Sequence, residues 1–141
     1  MEVLIRKEKI SEKQVLDSSI QEKIPLIIFR GELSGLEAIT KYLRENEKKS
    51  YKEMSFLTGR KIGTLASTYK KAREKKPGFY EVTEHDYKIP LGIIRQHYSV
   101  LESICFYLKE QGLRKIDIAR ALNKDPRTVW TVINRIKGKI Q

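Results

Sequence analysis

An internal repeat constrains the fold of this chain more than any other feature of its sequence. The tetrapeptide KIPL at 23–26 returns at 88–91. Over positions 23–45, 13 of 23 residues are identical to the residues 65 positions later, where chance would give about one or two. The period is too long for a solenoid repeat, so it predicts a small domain that occurs twice.

The repeat continues at an offset of 64, because the first copy has NEKK at 46–49 where the second has QGL at 111–113. Turns tolerate such length changes. Beyond this turn, Ser55 aligns with Ala119 and Thr64 with Thr128. Both copies are therefore predicted to form the same helical unit.

Each unit is predicted to contain a pre-helix, a core helix, a support helix and a last helix. Pro25 and Pro90 would open the pre-helices, and Ser34 and Ser99 would cap the core helices. The apolar periodicity places the core helices at about 35–46 and 100–111, the support helices at about 51–58 and 115–122, and the last helices at about 62–75 and 126–138.

The predicted fold is all-α, with two tandem helix-turn-helix units that arose by internal duplication. Pro77-Gly78 is the clearest turn signal between the two units. The predicted domains are a short N-terminal extension, 1–22, a first unit, 23–76, a linker, 77–87, and a second unit, 88–141.

The helix-turn-helix signal is clearest in the second unit. Gly112 ends the core helix, and Ala119 is small where two steeply crossing helices approach each other. Asn123 tolerates the left-handed conformation that ends the support helix. Asp125 then supplies a capping oxygen, and Pro126 occupies the first helical position, where a missing N–H costs nothing. A helix, a short turn and a capped helix in this order are typical of helix-turn-helix proteins.

The last helix of the second unit is predicted to read DNA. Its apolar stripe consists of Val129, Val132, Ile133 and Ile136. Polar and basic side chains that hydrogen-bond base edges and phosphates cover the rest of the helix. The predicted DNA-binding residues are Arg127, Thr128, Thr131, Asn134 and Arg135, with Lys124 and Lys137 beside them. The alternative is an ordinary solvated face.

The last helix of the first unit has a weaker start, with Lys61 in place of the Asp125 cap and Gly63 near its beginning. Glycine in a helix costs roughly 1 kcal/mol relative to alanine. We therefore expect this helix to act mainly as an electrostatic clamp; the alternative is a repeat that has lost its DNA role. Its predicted DNA-binding residues are Arg60, Lys61, Thr64, Ser67, Lys70, Lys71 and Arg73.

The tryptophan, the cysteine and the two histidines are candidate functional residues, and a structural role is predicted for the first two. Trp130 lies beside the apolar stripe, so it is predicted to pack against a neighbouring helix or the other unit; the alternative is stacking on a base or docking on a partner protein. Cys105 is predicted to be a buried small hydrophobe. His85 and His97 have no ligands at metal-binding spacing, so no metal is expected.

The composition narrows the class of protein. A net charge of +11, from 29 Lys and Arg against 18 Asp and Glu, favours a polyanionic partner. A single cysteine excludes an internal disulfide framework and a multi-cysteine zinc site. Without a membrane-spanning run or a secretory signal, we expect a cytoplasmic location and no membrane partner. No catalytic constellation is visible, so no enzyme activity and no cofactor are expected.

Three sequence patterns carry a resemblance to a known family: IPL-x-I-(F/I) at 24–29 and 89–94, LE-(A/S)-I-x-x-YL at 36–43 and 101–108, and NKDPRTVWT at 123–131. The chain resembles the tandem sigma-region-4-type helix-turn-helix regulators of euryarchaea, such as the archaellum gene regulators, over roughly 23–137. The resemblance implies a promoter-binding regulator that helps to recruit the basal machinery. The first unit departs from the Asp-Pro-Arg-Thr pattern.

These observations predict a sequence-specific double-stranded DNA-binding transcription regulator that acts at promoters. One alternative is an adaptor that docks on RNA polymerase or a basal transcription factor, which an exposed Trp130 would favour. Another is an RNA-binding protein, although the sequence has no aromatic stacking platform for single strands.

Overall fold

The computed structural model describes residues 22–94 and 98–140, except for the side chain of Ile140. Within these residues the chain is mostly helical, with six α-helices and one two-stranded sheet. The expectation of a helical protein is confirmed, whereas the sheet was not predicted. Predictions about residues 1–21 and His97 lie outside the described residues.

The N-terminal half contains three α-helices. In chain order its elements are strand β1 (Lys23–Pro25), a 3₁₀ helix (Leu26–Arg30), α1 (Gly35–Lys41) continued by a π-helical turn (Tyr42–Asn46), α2 (Tyr51–Thr58) and α3 (Ile62–Lys75). The bounds of α2 and α3 agree with the predicted support and last helices.

The same order of elements recurs in the C-terminal half. It consists of β2 (Lys88–Pro90), a 3₁₀ helix (Leu91–Ile93), α4 (Val100–Glu110), α5 (Lys115–Leu122) and α6 (Pro126–Ile140). The bounds of α5 agree with the prediction, and α6 extends two residues beyond it. Among the described residues, no helix is both long enough and apolar enough to cross a membrane.

Reciprocal capping boxes start α1 and α4. The Ser34 hydroxyl accepts a hydrogen bond from the Glu37 N–H at 3.2 Å, and the Glu37 carboxylate accepts one from the Ser34 N–H at 2.9 Å. Ser99 and Glu102 make the same pair of bonds at 3.0 and 2.9 Å. Each box satisfies two backbone donors that a helix start leaves open, so the two predicted caps are confirmed.

The two KIPL segments meet in the sheet. β1 and β2 pair antiparallel, with Ile24 opposite Ile89, and both side chains are fully buried. Pro25 and Pro90 each end a strand and are the N-caps of the 3₁₀ helices that follow, so the predicted pre-helices are confirmed, as short 3₁₀ helices of five and three residues. Proline donates no hydrogen bond, which suits the ends of such short edge strands.

The two halves pack into each other reciprocally. The first 3₁₀ helix packs on α5, and the second packs on α2. The starts of α1 and α4 approach so closely that a β-carbon added at Gly35 would lie 2.8 Å from the Val100 Cβ. One hydrophobic core therefore runs through both halves.

Candidate nucleic-acid interface

Each half contains two helices joined by a three-residue turn whose first residue is left-handed. Between α2 and α3 this residue is Gly59, with φ 72°, and between α5 and α6 it is Asn123, with φ 54°. Glycine and asparagine are the residues that adopt this conformation at least cost. The predicted role of Asn123 is therefore confirmed, and the two turns begin in the same way.

Asp125 caps the start of α6 as predicted. Its Oδ1 accepts a hydrogen bond from the Arg127 N–H at 2.8 Å, while its carbonyl accepts one from the Thr128 N–H at 2.9 Å. Pro126, as the first residue of the helix, has no N–H to satisfy. The first turn of α6, which carries the predicted base-reading residues, is therefore held by its own sequence.

The two faces of α6 separate as the periodicity predicts. Val129, Val132, Ile133 and Ile136 are buried, each at most 5% exposed, where α6 packs against α4 and α5. Solvent-exposed residues on α6 include five of the predicted DNA-binding residues: Arg127, Thr128, Thr131, Asn134 and Lys137. Arg135 is also exposed, and α6 carries no acidic residue. The helix thus presents a polar and basic face to solvent.

Arg127 is held at the start of this face by a two-point ion pair. Its Nε lies 3.2 Å from Asp125 Oδ1, and its Nη2 lies 3.1 Å from Asp125 Oδ2. The hydrogen bonds from the Arg127 guanidinium, followed by that from its backbone N–H, lower the pKa of the Asp125 carboxyl. The ion pair with Asp125 orients the Arg127 guanidinium. Because the side chain is 91% exposed, the guanidinium is still accessible to a ligand.

Arg135 differs from the other predicted readers because it lies beside a buried carboxylate. Its Nη1 is 3.7 Å from Glu102 Oε2, and the Lys139 Nζ is 2.9 Å from Glu102 Oε1. Burial alone would raise the pKa of Glu102, but the hydrogen bonds from Lys139 and Ser99 and the two positive charges lower it. Arg135 thus helps to hold α6 on α4.

Lys75 makes the corresponding contact in the N-terminal half, with its Nζ 3.0 Å from both Glu37 carboxylate oxygens. Sequence reasoning did not identify Lys75 or Lys139 as partners of these carboxylates. The signal was present, because Lys75 and Lys139 are 64 positions apart and Glu37 and Glu102 are 65 apart.

Two predicted DNA-binding residues lie in the turns and contact the opposite half. The Arg60 Nη2 donates to the Tyr98 carbonyl at 3.1 Å, and the Lys124 Nζ reaches the Gly31 carbonyl at 3.5 Å. Both are half-buried. These two side chains therefore contribute to the packing between the halves, a role that the repeat alone did not predict.

The exposed face of α3 is basic but lacks a capped start. Lys61 precedes the helix without a side-chain capping bond, and Gly63 has open space around its α-carbon. From 60 to 76 there are seven basic residues and one acidic residue. The other predicted residues of this unit are all exposed: Lys61, Thr64, Ser67, Lys70, Lys71 and Arg73.

Trp130 lies against the neighbouring helix α5, as predicted, but only in part. The residue is 54% exposed, and the Lys115 Nζ lies 5.6 Å from the centre of its ring. It follows the buried Val129, and one helical step of about 100° carries it off the apolar stripe. Ile116, on the first turn of α5, is also exposed, at 46%.

The remaining residues singled out in the sequence are ordinary structural groups. Cys105 is fully buried as predicted, and burial raises the pKa of its thiol to about 12. His85 is exposed, and within 22–94 and 98–140 no cluster of three or more His, Cys, Asp or Glu could hold a metal ion. In the predicted linker, Tyr80 and Val82 pack against the core.

Comparisons of the chain with protein-family models, with curated proteins and with solved structures found no match. The function must therefore be inferred from the residues and the geometry of the chain itself.

Proposed function

We propose that this protein is a sequence-specific double-stranded DNA-binding transcription regulator that acts at promoters. The observation that carries the proposal is the start of α6: a three-residue turn that begins left-handed, a capped first turn, and an exposed polar face without acidic residues. In helix-turn-helix proteins the first residues of the second helix lie deepest in the major groove. We assign the first helix-turn-helix unit to α1–α3 and the second to α4–α6.

The second unit is proposed to read the sequence. Arg127 and Thr128 lie in the first turn of α6, and Thr131 and Asn134 lie further along its exposed face. Arginine donates two parallel hydrogen bonds to guanine, and asparagine pairs in the same way with adenine. Because Asp125 orients the Arg127 guanidinium, this side chain loses less freedom on meeting a base.

The first unit is proposed to act as an electrostatic clamp. Lys70, Lys71 and Arg73 are exposed on α3 and have the chemistry of phosphate contacts, which carry no sequence information. With its uncapped start and Gly63 in its first turn, α3 lacks the arginine that α6 offers at that place. The net charge of +11 is consistent with this role.

A salt titration tests whether the partner is a nucleic acid. If about four to eight phosphates are contacted, the logarithm of the binding constant for duplex DNA should fall with log salt at a slope of roughly −4 to −7. Fluorescence anisotropy with a labelled promoter-length duplex would measure it. A flat salt response would refute nucleic-acid binding.

Binding-site selection from random duplexes tests the division of labour. Arg127→Ala should blur the selected sequence at one base pair, since one bidentate contact contributes about 1–3 kcal/mol. Lys70→Ala with Lys71→Ala should instead weaken all sequences about equally and make the salt slope shallower by about one or two units. If the lysine variant changed the selected sequence and the Arg127 variant did not, the first unit would be the reader.

An adaptor that docks on RNA polymerase or a basal transcription factor is the second candidate, because Trp130 and Ile116 are both exposed on the second unit. An exposed tryptophan is a common anchor of protein interfaces. Pull-down of purified polymerase and basal factors by the protein and by Trp130→Ala would test it. Loss of capture with unchanged DNA affinity would favour the adaptor, and capture that does not depend on Trp130 would remove its support.

A further inference from the structure

Equivalent residues of the two units face each other at two places. Ile24 and Ile89 are 65 positions apart and lie opposite each other in the antiparallel sheet. Gly35 and Val100 are also 65 positions apart and meet at the starts of α1 and α4. A residue can lie against its own counterpart only near an axis that exchanges the two units.

The contacts away from these two places are exchanged in the same way. The first 3₁₀ helix packs on α5 and the second packs on α2. Arg60 bonds to the backbone just before α4, and Lys124 approaches the backbone before α1. Such reciprocal contacts define an isologous interface, which a two-fold rotation produces and a head-to-tail arrangement does not. The two units are thus related by an approximate two-fold axis within one chain.

We propose that α3 and α6 bind the two half-sites of one inverted repeat in duplex DNA. The two half-sites are unequal, and the half-site under α6 is read more strictly. This inference rests on the proposed function. A two-fold axis presents the two helices to DNA in opposite directions, and duplex DNA itself has two-fold axes perpendicular to its length. Proteins with this symmetry select inverted repeats, whereas successive units in one orientation would select direct repeats.

The inequality of the half-sites results from the two helix starts. α6 begins after Asp125 and carries Arg127 in its first turn, whereas α3 begins after Lys61 and carries Gly63 at the matching place. The half-site under α3 is accordingly held through phosphates and weakly specified.

The chain permits a variant that makes the two starts alike: Lys61→Asp, Ile62→Pro and Gly63→Arg. Lys61 already has the extended conformation of a helix cap, with φ −70° and ψ 146°, which also suits a residue before proline. Position 62 is the first helical residue and is half-exposed, and a β-carbon added at position 63 meets nothing within 4 Å. Gly63→Arg alone is the control for the arginine without the cap. Because the triple variant also loses the positive charge of Lys61, a gain in its affinity cannot come from added positive charge.

Binding-site selection with the full chain is the first test. The parent protein should select an inverted repeat with one well-defined and one poorly defined half, and the triple variant should sharpen the poor half into the mirror image of the other. A direct repeat, or a single half-site whose flanks do not affect affinity, would overturn the inferred arrangement while leaving DNA binding intact. Absence of salt-dependent duplex binding would instead overturn the proposed function.

Affinity measurements on synthetic duplexes give a second test that does not depend on selection. For a perfect palindrome of the strong half-site, the triple variant should bind roughly 5- to 150-fold more tightly than the parent, the range expected of one bidentate contact. Gly63→Arg alone should give a smaller gain that is similar for all sequences. Inserting about five base pairs, half a helical turn, between the half-sites should weaken binding of the parent at least 10-fold, because the halves then lie on opposite sides of the duplex. Unchanged affinity for the spaced site would contradict the arrangement.

Discussion

Gly35→Ala tests the closest approach of the two halves. An added β-carbon at this position would lie 2.8 Å from the Val100 Cβ, 3.0 Å from its Cγ1 and 3.2 Å from the Leu101 backbone nitrogen. Ordinary contacts between such atoms begin at about 3.5 Å. The starts of α1 and α4 would therefore have to separate by several tenths of an ångström.

Two opposing effects set the magnitude. Overpacking a closely packed core typically costs about 1–3 kcal/mol. Replacing glycine by alanine also restricts the unfolded chain, which stabilises the folded state by about 0.4–1 kcal/mol. Because one of the clashing atoms belongs to the backbone of α4, rotation of a side chain cannot relieve it. We expect Gly35→Ala to lower the free energy of unfolding by about 1–2 kcal/mol.

Gly63→Ala is the matched control, since it is the same substitution near the start of α3 at a place where a β-carbon meets nothing within 4 Å. It should raise the free energy of unfolding by about 0.4–1 kcal/mol. Urea denaturation monitored by circular dichroism would measure both. If Gly35→Ala were as stable as the parent protein or more stable, the close packing of Gly35 on Val100 would be refuted.

Three further predictions concern single groups. The folded-state pKa of Glu102 is lowered from 4.5, so its ion pairs stabilise the protein above that pH and lose this effect as the pH falls through the folded pKa. Urea denaturation between about pH 3 and 7 should therefore show a weaker acid dependence of stability for Glu102→Gln than for the parent protein. Asp125→Asn keeps a capping oxygen but loses the ion pair with Arg127, so the melting temperature should be unchanged while the base preference becomes weaker. Asp125→Ala removes the cap as well and should lower the melting temperature. Equal melting temperatures of the two variants would contradict the cap. Cys105 should resist iodoacetamide until the protein unfolds, since the thiol is buried with a pKa of about 12, and rapid labelling of the native protein would contradict its burial.

Helix positions and ends were largely predictable from the sequence, because they depend on neighbouring residues. Ser34 and Ser99 are followed three positions later by glutamate and then by an apolar run, a pattern that is the sequence signature of a capping box. Asn123 and Gly59 end helices because their own conformational preferences allow positive φ. The apolar stripe of α6 likewise identified its buried face and, by subtraction, its polar face.

Contacts between residues far apart in the chain were not predictable in the same way. The repeat showed that two similar units exist, but their arrangement depends on which surfaces bury the most apolar area together. Ile24 meets Ile89 and Gly35 meets Val100 only after both units have folded. An offset of 65 in sequence is equally compatible with separate units and with exchanged ones.

Individual side chains show the same division. Tryptophan is an apolar residue type that is highly buried on average, yet the packing of α6 leaves Trp130 54% exposed. Lysine is usually a surface residue, yet Lys41 is fully buried and donates a hydrogen bond to Glu45. The Glu45 carboxylate also accepts a hydrogen bond from the Tyr69 hydroxyl at 2.8 Å. The sequence by itself determined where the helices begin and end and which face of α6 is polar, since these are local properties. Only the tertiary structure decided the reciprocal packing of the halves and the surroundings of Trp130 and Lys41, since burial is set by residues brought together from distant parts of the chain.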